Sequence, residues 1–221
     1  MTMHLQRDLD HLRKSILLLG AKVEENINHA VTLQRSRDLS ITVVMRDAEL
    51  AINEMEVNIE NECIKVLALH QPVAVDLRFI IVVLKVSNDL ERMGDQAMNA
   101  LERIEALKNL PPINEDLDFH KMGGLVKIMV KSCLDALVRQ DVNLAKKVRE
   151  MDDLVDAQHA AMYKKIKVMM ETHGQTVTAG VSLLMISNNF ERMGDLATNI
   201  AEEVIFTKEG EVVRHQSEHP E

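Results

Sequence analysis

The chain has 221 residues and a formal net charge of −9, and 46% of its residues are hydrophobic but only 2% aromatic. The acidic balance argues against direct nucleic-acid binding, whose affinity rests largely on cationic neutralisation of phosphates. Neither the longest uncharged apolar run, residues 79–84, nor the early-charged N-terminus predicts a membrane span or a signal peptide. Cys63 and Cys133 both lie within helical patterns and do not suggest a disulfide framework, so we expect a cytoplasmic protein with no direct membrane insertion.

Apolar residues recur at steps of three and four from the beginning of the chain, starting with Leu5, Leu9, Leu12 and Ile16. This spacing predicts long amphipathic helices. Prolines at 72 and at 111–112 mark two interruptions. The predicted helices cover residues 3–37, 40–69, 76–106, 118–139, 142–171 and 177–207. No alternating β-branched segment competes with them, so the predicted fold class is all-α.

The third and sixth predicted helices contain copies of one motif. Residues 87–100 read SNDLERMGDQAMNA and residues 187–200 read SNNFERMGDLATNI, with nine of fourteen positions identical at an offset of 100. The first two helices align with the fourth and fifth at an offset of 103, which places three extra residues in the hairpin 68–78. The repeat predicts two tandem three-helix bundles, stacked or side by side. Their predicted bounds are 1–108 and 113–208, followed by a polar tail at 209–221.

Each motif places two acids four residues apart, on one face of its helix. The second helix of each repeat offers aligned polar partners. The candidate metal ligands are Glu49, Asn53, Glu91 and Asp95 in the first repeat and Asp152, Asp156, Glu191 and Asp195 in the second. Further polar residues on the same stripes are candidates for supporting these ligands: Asn88, Asn99, Asn188, Asn199 and Glu202.

Crowded carboxylates resist ionising together, and a bound cation is the simplest remedy. Oxygen ligands favour iron, manganese or magnesium, and zinc is also compatible. The Glu-x-x-His pairs of a ferritin-like di-iron centre do not occur in the sequence. Gly94 and Gly194 recur at the same place in the motif, and each either makes room for an ion or lets two helices cross closely.

Two other interpretations compete with a metal-binding protein that is not an enzyme. Acid pairs are common on solvated helix faces, so the chain could be a purely structural bundle. The second alternative is a carboxylate-bridged metalloenzyme, such as an iron oxidase or a phosphohydrolase. The sequence shows no nucleophile–base pair, P-loop or dinucleotide fingerprint, and we predict that the protein is not an enzyme.

The sequence resembles the PhoU family of phosphate-regulon accessory proteins over about residues 3–208. The resemblance rests on the two ERMGD turns, each with Asn four residues after the Asp, and on the segments ALHQPVAVDLR and NIAEEVIFTKEG. It implies a cytoplasmic negative regulator of phosphate uptake and phosphate-starvation signalling. Such a regulator would act as an adaptor between the ATPase subunit of the phosphate ABC transporter and a sensor histidine kinase.

The resemblance also implies metal clusters held by acid pairs on the second and third helices of each bundle. The matching pairs are Glu91 with Asp95, Glu191 with Asp195, and Asp152 with Asp156. The fourth pair departs from the pattern because Asn53 follows Glu49 where a second acid is expected, which implies a weaker or smaller first cluster. Exposed apolar seams on the long helices further suggest a homodimer.

Overall fold

A computed structural model describes residues 3–36, 39–108, 110 and 117–209. These residues form six long helices and no strand, which confirms the all-α prediction. The helices are α1 (Met3–Ser36), α2 (Thr42–His70), α3 (Ala74–Leu107), α4 (Phe119–Arg139), α5 (Val142–Thr172) and α6 (Val177–Glu209). All twelve predicted helix ends lie within two residues of the observed ones. The predicted tail beyond Glu209 and the two linker prolines lie outside the described residues, and the domain bounds stay a prediction.

The helix ends follow from local chemistry. Asp118 accepts a hydrogen bond from the backbone N–H of Lys121 at the start of α4, and Asp141 accepts one from Leu144 at the start of α5. Gln140 closes α4 in the left-handed conformation, with φ 53°, so only two residues join these helices. In the α2–α3 hairpin, the three extra residues do not lengthen the turn. They extend α3, which begins at Ala74, whereas α6 begins at Val177.

Aliphatic and methionine side chains from all six helices form one continuous core. Met45, Met93, Met129 and Met193 are fully buried within it, as expected for a chain with few aromatic residues. The two repeats therefore share one apolar interior rather than each enclosing its own. Along the described helices, no stretch is both long and apolar enough to cross a membrane.

Two glycines let α1 and α4 pack closely across the repeats. A Cβ at Gly20 would lie 2.6 Å from Cδ2 of Leu134, and a Cβ at Gly123 would lie 2.7 Å from Cγ1 of Val31. Gly20 aligns with Gly123 and Val31 aligns with Leu134 at the offset of 103, so the two contacts are copies of one another. This reciprocal arrangement places the repeats side by side around an approximate two-fold axis.

Helices α3 and α6 form the other half of this interface and run antiparallel. Near one end, Nζ of Lys85 lies 3.1 Å from Oε1 of Glu203. Near the other end, Arg103 lines a cavity together with Met185. The two ERMGD motifs therefore pass each other near the approximate axis, and each keeps its acids toward the second helix of its own repeat.

Candidate metal centres

The first acidic cluster lies where α2 and α3 approach each other at Gly94. A Cβ at this position would lie 3.3 Å from Oε2 of Glu49 and 3.4 Å from Cδ1 of Ile52. The missing side chain leaves space for Oε2 of Glu49 against α3, whereas a Cβ would make only an ordinary van der Waals contact with Ile52. The geometry agrees with a close helix approach, one of the two alternatives that the sequence offered, and room for an ion stays a prediction.

The second cluster repeats this geometry between α5 and α6. A Cβ at Gly194 would lie 3.4 Å from Oδ1 of Asp152 and 3.5 Å from Cγ1 of Val155. Asp152 aligns with Glu49, and Val155 aligns with Ile52. In both repeats the second helix thus presents a carboxylate to the glycine of the motif.

Glu49 has the most strongly raised carboxyl pKa in the first cluster. Burial and the adjacent Asp95 carboxyl raise the pKa of Glu49 to about 7, while the Asn53 amide opposes the shift. The pKa of Glu91 is also raised, by burial first and then by the charges of Asp95 and Glu56. Oε2 of Glu49 is buried without a hydrogen-bond partner. The α2–α3 contact therefore contains an acceptor that protein groups leave unsatisfied.

In the second cluster, Asp152 has the same raised pKa and the same unpaired buried oxygen as Glu49. Burial and the charges of Asp195 and Asp156 raise the pKa of Asp152 to about 7. The pKa values of Glu191 and Asp195 are raised as well, by burial and then by neighbouring carboxylates, while Arg192 opposes both shifts. Oδ1 of Asp152 is buried without a hydrogen-bond partner. Asp156 adds charge at the position where Asn53 relieves it in the first repeat.

The donor chemistry of both clusters fits a hard divalent cation. Each cluster combines an orphaned buried oxygen with carboxylates whose mutual repulsion a cation would relieve. Within the described part of the chain, however, no three acidic, histidine or cysteine side chains are already arranged to hold one ion. The helices bring the predicted ligands of each repeat into one cluster without forming a finished coordination shell. Metal binding at these residues stays a prediction.

The predicted supporting residues separate into different environments. Asn199 lines an open cavity of about 480 Å³ together with Asp152 and Asp195. Asn99 and Asn188 instead line a second cavity that contains neither of those acids. The other two predicted supporting residues lie in neither cavity. Asn88 is exposed, and Glu202 forms an ion pair with Arg149, with Oε1 3.8 Å from Nε. Their shared helix faces were visible in the sequence, but the packing of α3 against α6 was not.

Sequence reasoning missed one charged neighbour of the clusters, Glu56, and the position of another, Arg92, at the cluster of the opposite repeat. Glu56 lies seven residues after Glu49 on α2 and raises the pKa of Glu91. The seven-residue spacing was a signal for this neighbour. Arg92 of the first repeat lines the cavity of the second cluster, facing Asp152 and Asp195. No local spacing could have revealed that contact, because it depends on how the repeats pack.

Comparison with known proteins gives two matches to one family model within this chain. The PhoU domain model matches residues 16–104 and again residues 119–204. The chain belongs to the PhoU family. The two matched segments begin at aligned positions, Ile16 and Phe119, and the first match omits residues 3–15 of α1, more than three helical turns. The extended N-terminal part of α1 is thus an addition to the repeated unit.

Full-length relatives support this assignment. A phosphate-specific transport system accessory protein PhoU homolog from Pseudomonas putida is 34% identical over 94% of this chain and 82% of its own length. A homolog with the same name from Aquifex aeolicus is 33% identical over 97% of each chain. The crystal structure of PhoU from Pseudomonas aeruginosa superposes with a TM-score of 0.89 at 33% identity, covering 93% of this chain and 99% of the other. The phosphate transport system regulatory protein PhoU from Streptococcus pneumoniae gives 0.87 at 30% identity, with 95% and 99% covered.

Proposed function

We propose that this protein is a non-enzymatic regulator of phosphate transport. The observation that carries the proposal is the match over nearly the whole chain to proteins named as accessory proteins of a phosphate-specific transport system. In finer detail, we propose a negative regulator of phosphate uptake and phosphate-starvation signalling. It would link the ATPase subunit of the phosphate ABC transporter to a sensor histidine kinase in the cytoplasm.

An exposed apolar row on α2 supports an adaptor role. Its members follow one another at intervals of seven residues and are half or more exposed: Val43 at 66%, Leu50 at 71%, Val57 at 50% and Ile64 at 54%. The aligned positions on α5 are Lys146, Asp153, Ala160 and Lys167. Because the repeats share a core pattern but only α2 carries this row, packing within the chain does not explain it. A row of exposed apolar residues of this kind is typical of a protein-binding surface.

The charges beside the α2 row indicate what it binds. Asp47, Glu54 and Glu60 are exposed on either side of it, one helical turn from its members, and Arg46, at the same spacing, is paired with Glu105. A second copy of the chain would place these acids against like charges, so we assign the row to a partner whose apolar surface is rimmed by Lys or Arg. The predicted homodimer would then use another face.

Metal ions would serve this role by joining helices rather than by catalysis. An ion held by Glu49, Glu91 and Asp95 would tie α2 to α3, and an ion held by the aligned acids of the second repeat would tie α5 to α6. Bound cations would remove the repulsion that raises the carboxyl pKa values and would hold α2 in one position. The chain's own carboxylates would thereby keep the α2 row in a shape that a partner recognises.

Deletion and complementation test the proposal. Cells lacking the protein at high phosphate should express phosphate-responsive genes, and the wild-type chain should restore repression. A chain with Leu50→Glu and Val57→Glu should fold, because both side chains are exposed, yet restore little repression and bind one partner, the transporter ATPase or the kinase, at least about tenfold more weakly. Ala160→Glu, at the position on α5 that aligns with Val57, is the matched control and should behave as wild type.

Two results would count against these proposals separately. Unchanged expression in the deletion strain at high phosphate would contradict the regulatory function itself. Full repression by the Leu50→Glu/Val57→Glu chain, with both partner affinities unchanged, would remove the α2 row from the proposal and leave the regulatory function standing. A loss of self-association alone in that chain would assign the row to a second copy instead.

A further inference from the structure

We propose that a groove between α3, α5 and α6 binds a small oxyanion of the phosphate class. This polar groove encloses about 420 Å³ and lies apart from the lining residues of the acidic cavity, with which it shares only Arg192. Its principal polar side chains are Asn99, Arg103, His159, Tyr163, Asn188 and Arg192. Every one of them can donate a hydrogen bond, and no carboxylate lines the groove.

The charge of Arg192 has no close partner there. In the first repeat, the aligned Arg92 pairs with Asp89, with Nη1 3.4 Å from Oδ1. The residue that aligns with Asp89 is Asn189, which also lines the polar groove. Among the described residues, Arg192 consequently has no carboxylate within ion-pair distance, although its charge acts on Glu191 and Asp195.

Arg103 shows the same divergence between the repeats. It aligns with Glu203, a buried acid whose Oε1 accepts from Nζ of Lys85 at 3.1 Å. Met185 replaces that lysine in the groove. Arg103 is partly buried, and within the described part of the chain no acid lies within ion-pair distance of its guanidinium. In the groove an arginine thus takes the position of the acid, and a methionine takes that of its lysine partner. Among the described residues, neither arginine of the groove has a carboxylate within ion-pair distance.

The α5 side of the groove also lacks the acids that the aligned positions of α2 carry. His159 aligns with Glu56, and Tyr163 aligns with Glu60. Nδ1 of His159 lies 2.9 Å from Oγ of Ser187, which is fully buried. When the serine hydroxyl donates to Nδ1, the ring proton lies on Nε2 and is available as a donor. When Nδ1 donates to the hydroxyl instead, the hydroxyl donates to Sδ of Met122 at 3.5 Å, and Nε2 of the neutral ring is an acceptor. The equivalent surface of the first repeat thus combines four acids with two bases, whereas the polar groove has two arginines and no acid.

This donor set matches a tetrahedral oxyanion. Guanidinium groups bind phosphate and carboxylate oxygens in pairs, and two of them with amide, phenol and imidazole donors satisfy several oxygens at once. The groove is open enough to admit either free inorganic phosphate or a phosphate group carried by a larger molecule. The inference rests on the groove alone and does not depend on metal binding or on the regulatory function.

Equilibrium dialysis of the full-length protein against radiolabelled inorganic phosphate tests the site. A chelator in the buffer removes any contribution from metal at the acidic clusters. We expect saturable binding of one phosphate per chain. Two variants each introduce the residue of the other repeat: Arg103→Glu and Asn189→Asp. Each should weaken binding at least about tenfold, because the first reverses a charge and the second supplies Arg192 with an intramolecular partner.

Lys164→Glu is the matched control, since it makes the same charge change as Arg103→Glu next to Tyr163 but outside the lining of the groove. It should bind phosphate within about twofold of wild type, and thermal melts should show that all three variants fold. A phosphoserine peptide that displaces the label more tightly than inorganic phosphate would identify a phosphorylated macromolecule as the source of the anion. Absence of saturable binding of either probe, or equal binding by wild type and both groove variants, would overturn the proposal.

Discussion

At the scale of single residues, Glu49 and Asp152 are the informative side chains. Each lies against a glycine of the neighbouring helix, each has one buried oxygen without a partner, and each has a pKa raised to about 7. Burial is the largest cause in both cases, and neighbouring carboxylates are the next. The metal-free protein therefore has two places where ionisation opposes folding.

A pH dependence of stability follows from these two carboxyls. A carboxyl with a higher pKa in the folded chain than in the unfolded chain binds more protons when folded, so the free energy of unfolding falls as pH rises between the two values. We expect the metal-free protein to lose stability from about pH 4 to about pH 7 and to level off above that range. Thermal melts should show a melting temperature several degrees higher at pH 5.5 than at pH 8, since about 1 kcal/mol corresponds to about 2–4 °C for a chain of this size.

The double variant Glu49→Gln/Asp152→Asn provides the control for this prediction. Neutral amides keep the shape of the side chains and remove the two largest ionisation effects, so the variant should show a smaller difference in melting temperature between the two pH values than wild type. The remaining difference comes from Glu91, Glu191 and Asp195, whose pKa values are also raised. At pH 8 without metal it should be more stable than wild type. A variant that is less stable than wild type at pH 8 would show that the two carboxylates stabilise the metal-free fold.

At the scale of helices, the close contact between α1 and α4 depends on glycine at specific positions. Gly123 and Gly124 are consecutive residues of α4, yet a Cβ at Gly123 would meet Val31, while a Cβ at Gly124 would meet no atom within 4 Å. Gly123→Ala should therefore destabilise the protein by about 1–3 kcal/mol through overpacking against a stiff β-branched side chain. Gly124→Ala should stabilise it by up to about 1 kcal/mol, because alanine favours the helix interior.

Urea unfolding of the two alanine variants measures these opposite effects on neighbouring positions. Gly20→Ala should destabilise less than Gly123→Ala if the longer Leu134 side chain rotates away from the added methyl group. Equal stabilisation by all three substitutions would contradict the close packing of α1 against α4.

The helices themselves were predictable from sequence, and their mutual packing was not. Steps of three and four between apolar residues placed all twelve helix ends within two residues, because each helix buries one stripe. The contact of Gly20 with Leu134 joins residues far apart in the chain and leaves no local pattern. The same reason explains why Asn99 was grouped with the acids of its own helix, although it lines the polar groove with α6. The extra residues before α3 were expected in a turn, but helix formation from Ala74 absorbed them.

At the scale of the whole molecule, the two repeats have kept one feature and changed others. Both retain the glycine and the acids at the contact between the second and third helix. Among the described residues, the exposed apolar row lies on α2 and has no counterpart at the aligned positions of α5, and the polar groove lies where α5 and α6 meet α3. The approximate two-fold symmetry thus combines a repeated candidate metal site with two different surfaces. Two different surfaces would suit the proposed adaptor, which contacts two unlike molecules.

Elemental analysis of untagged protein, purified in the absence of chelator, most directly tests whether the repeated acidic clusters bind metal. The comparison is with a chain carrying Glu91→Ala, Asp95→Ala, Glu191→Ala and Asp195→Ala. We predict stoichiometric iron, manganese, magnesium or zinc in the wild type and loss of this metal from the variant. In the wild type, the second cluster should bind metal more strongly than the first, because Asp156 stands where the first repeat has Asn53. A folded wild-type protein without metal, or equal metal in both chains, would contradict the assignment of these clusters as metal sites.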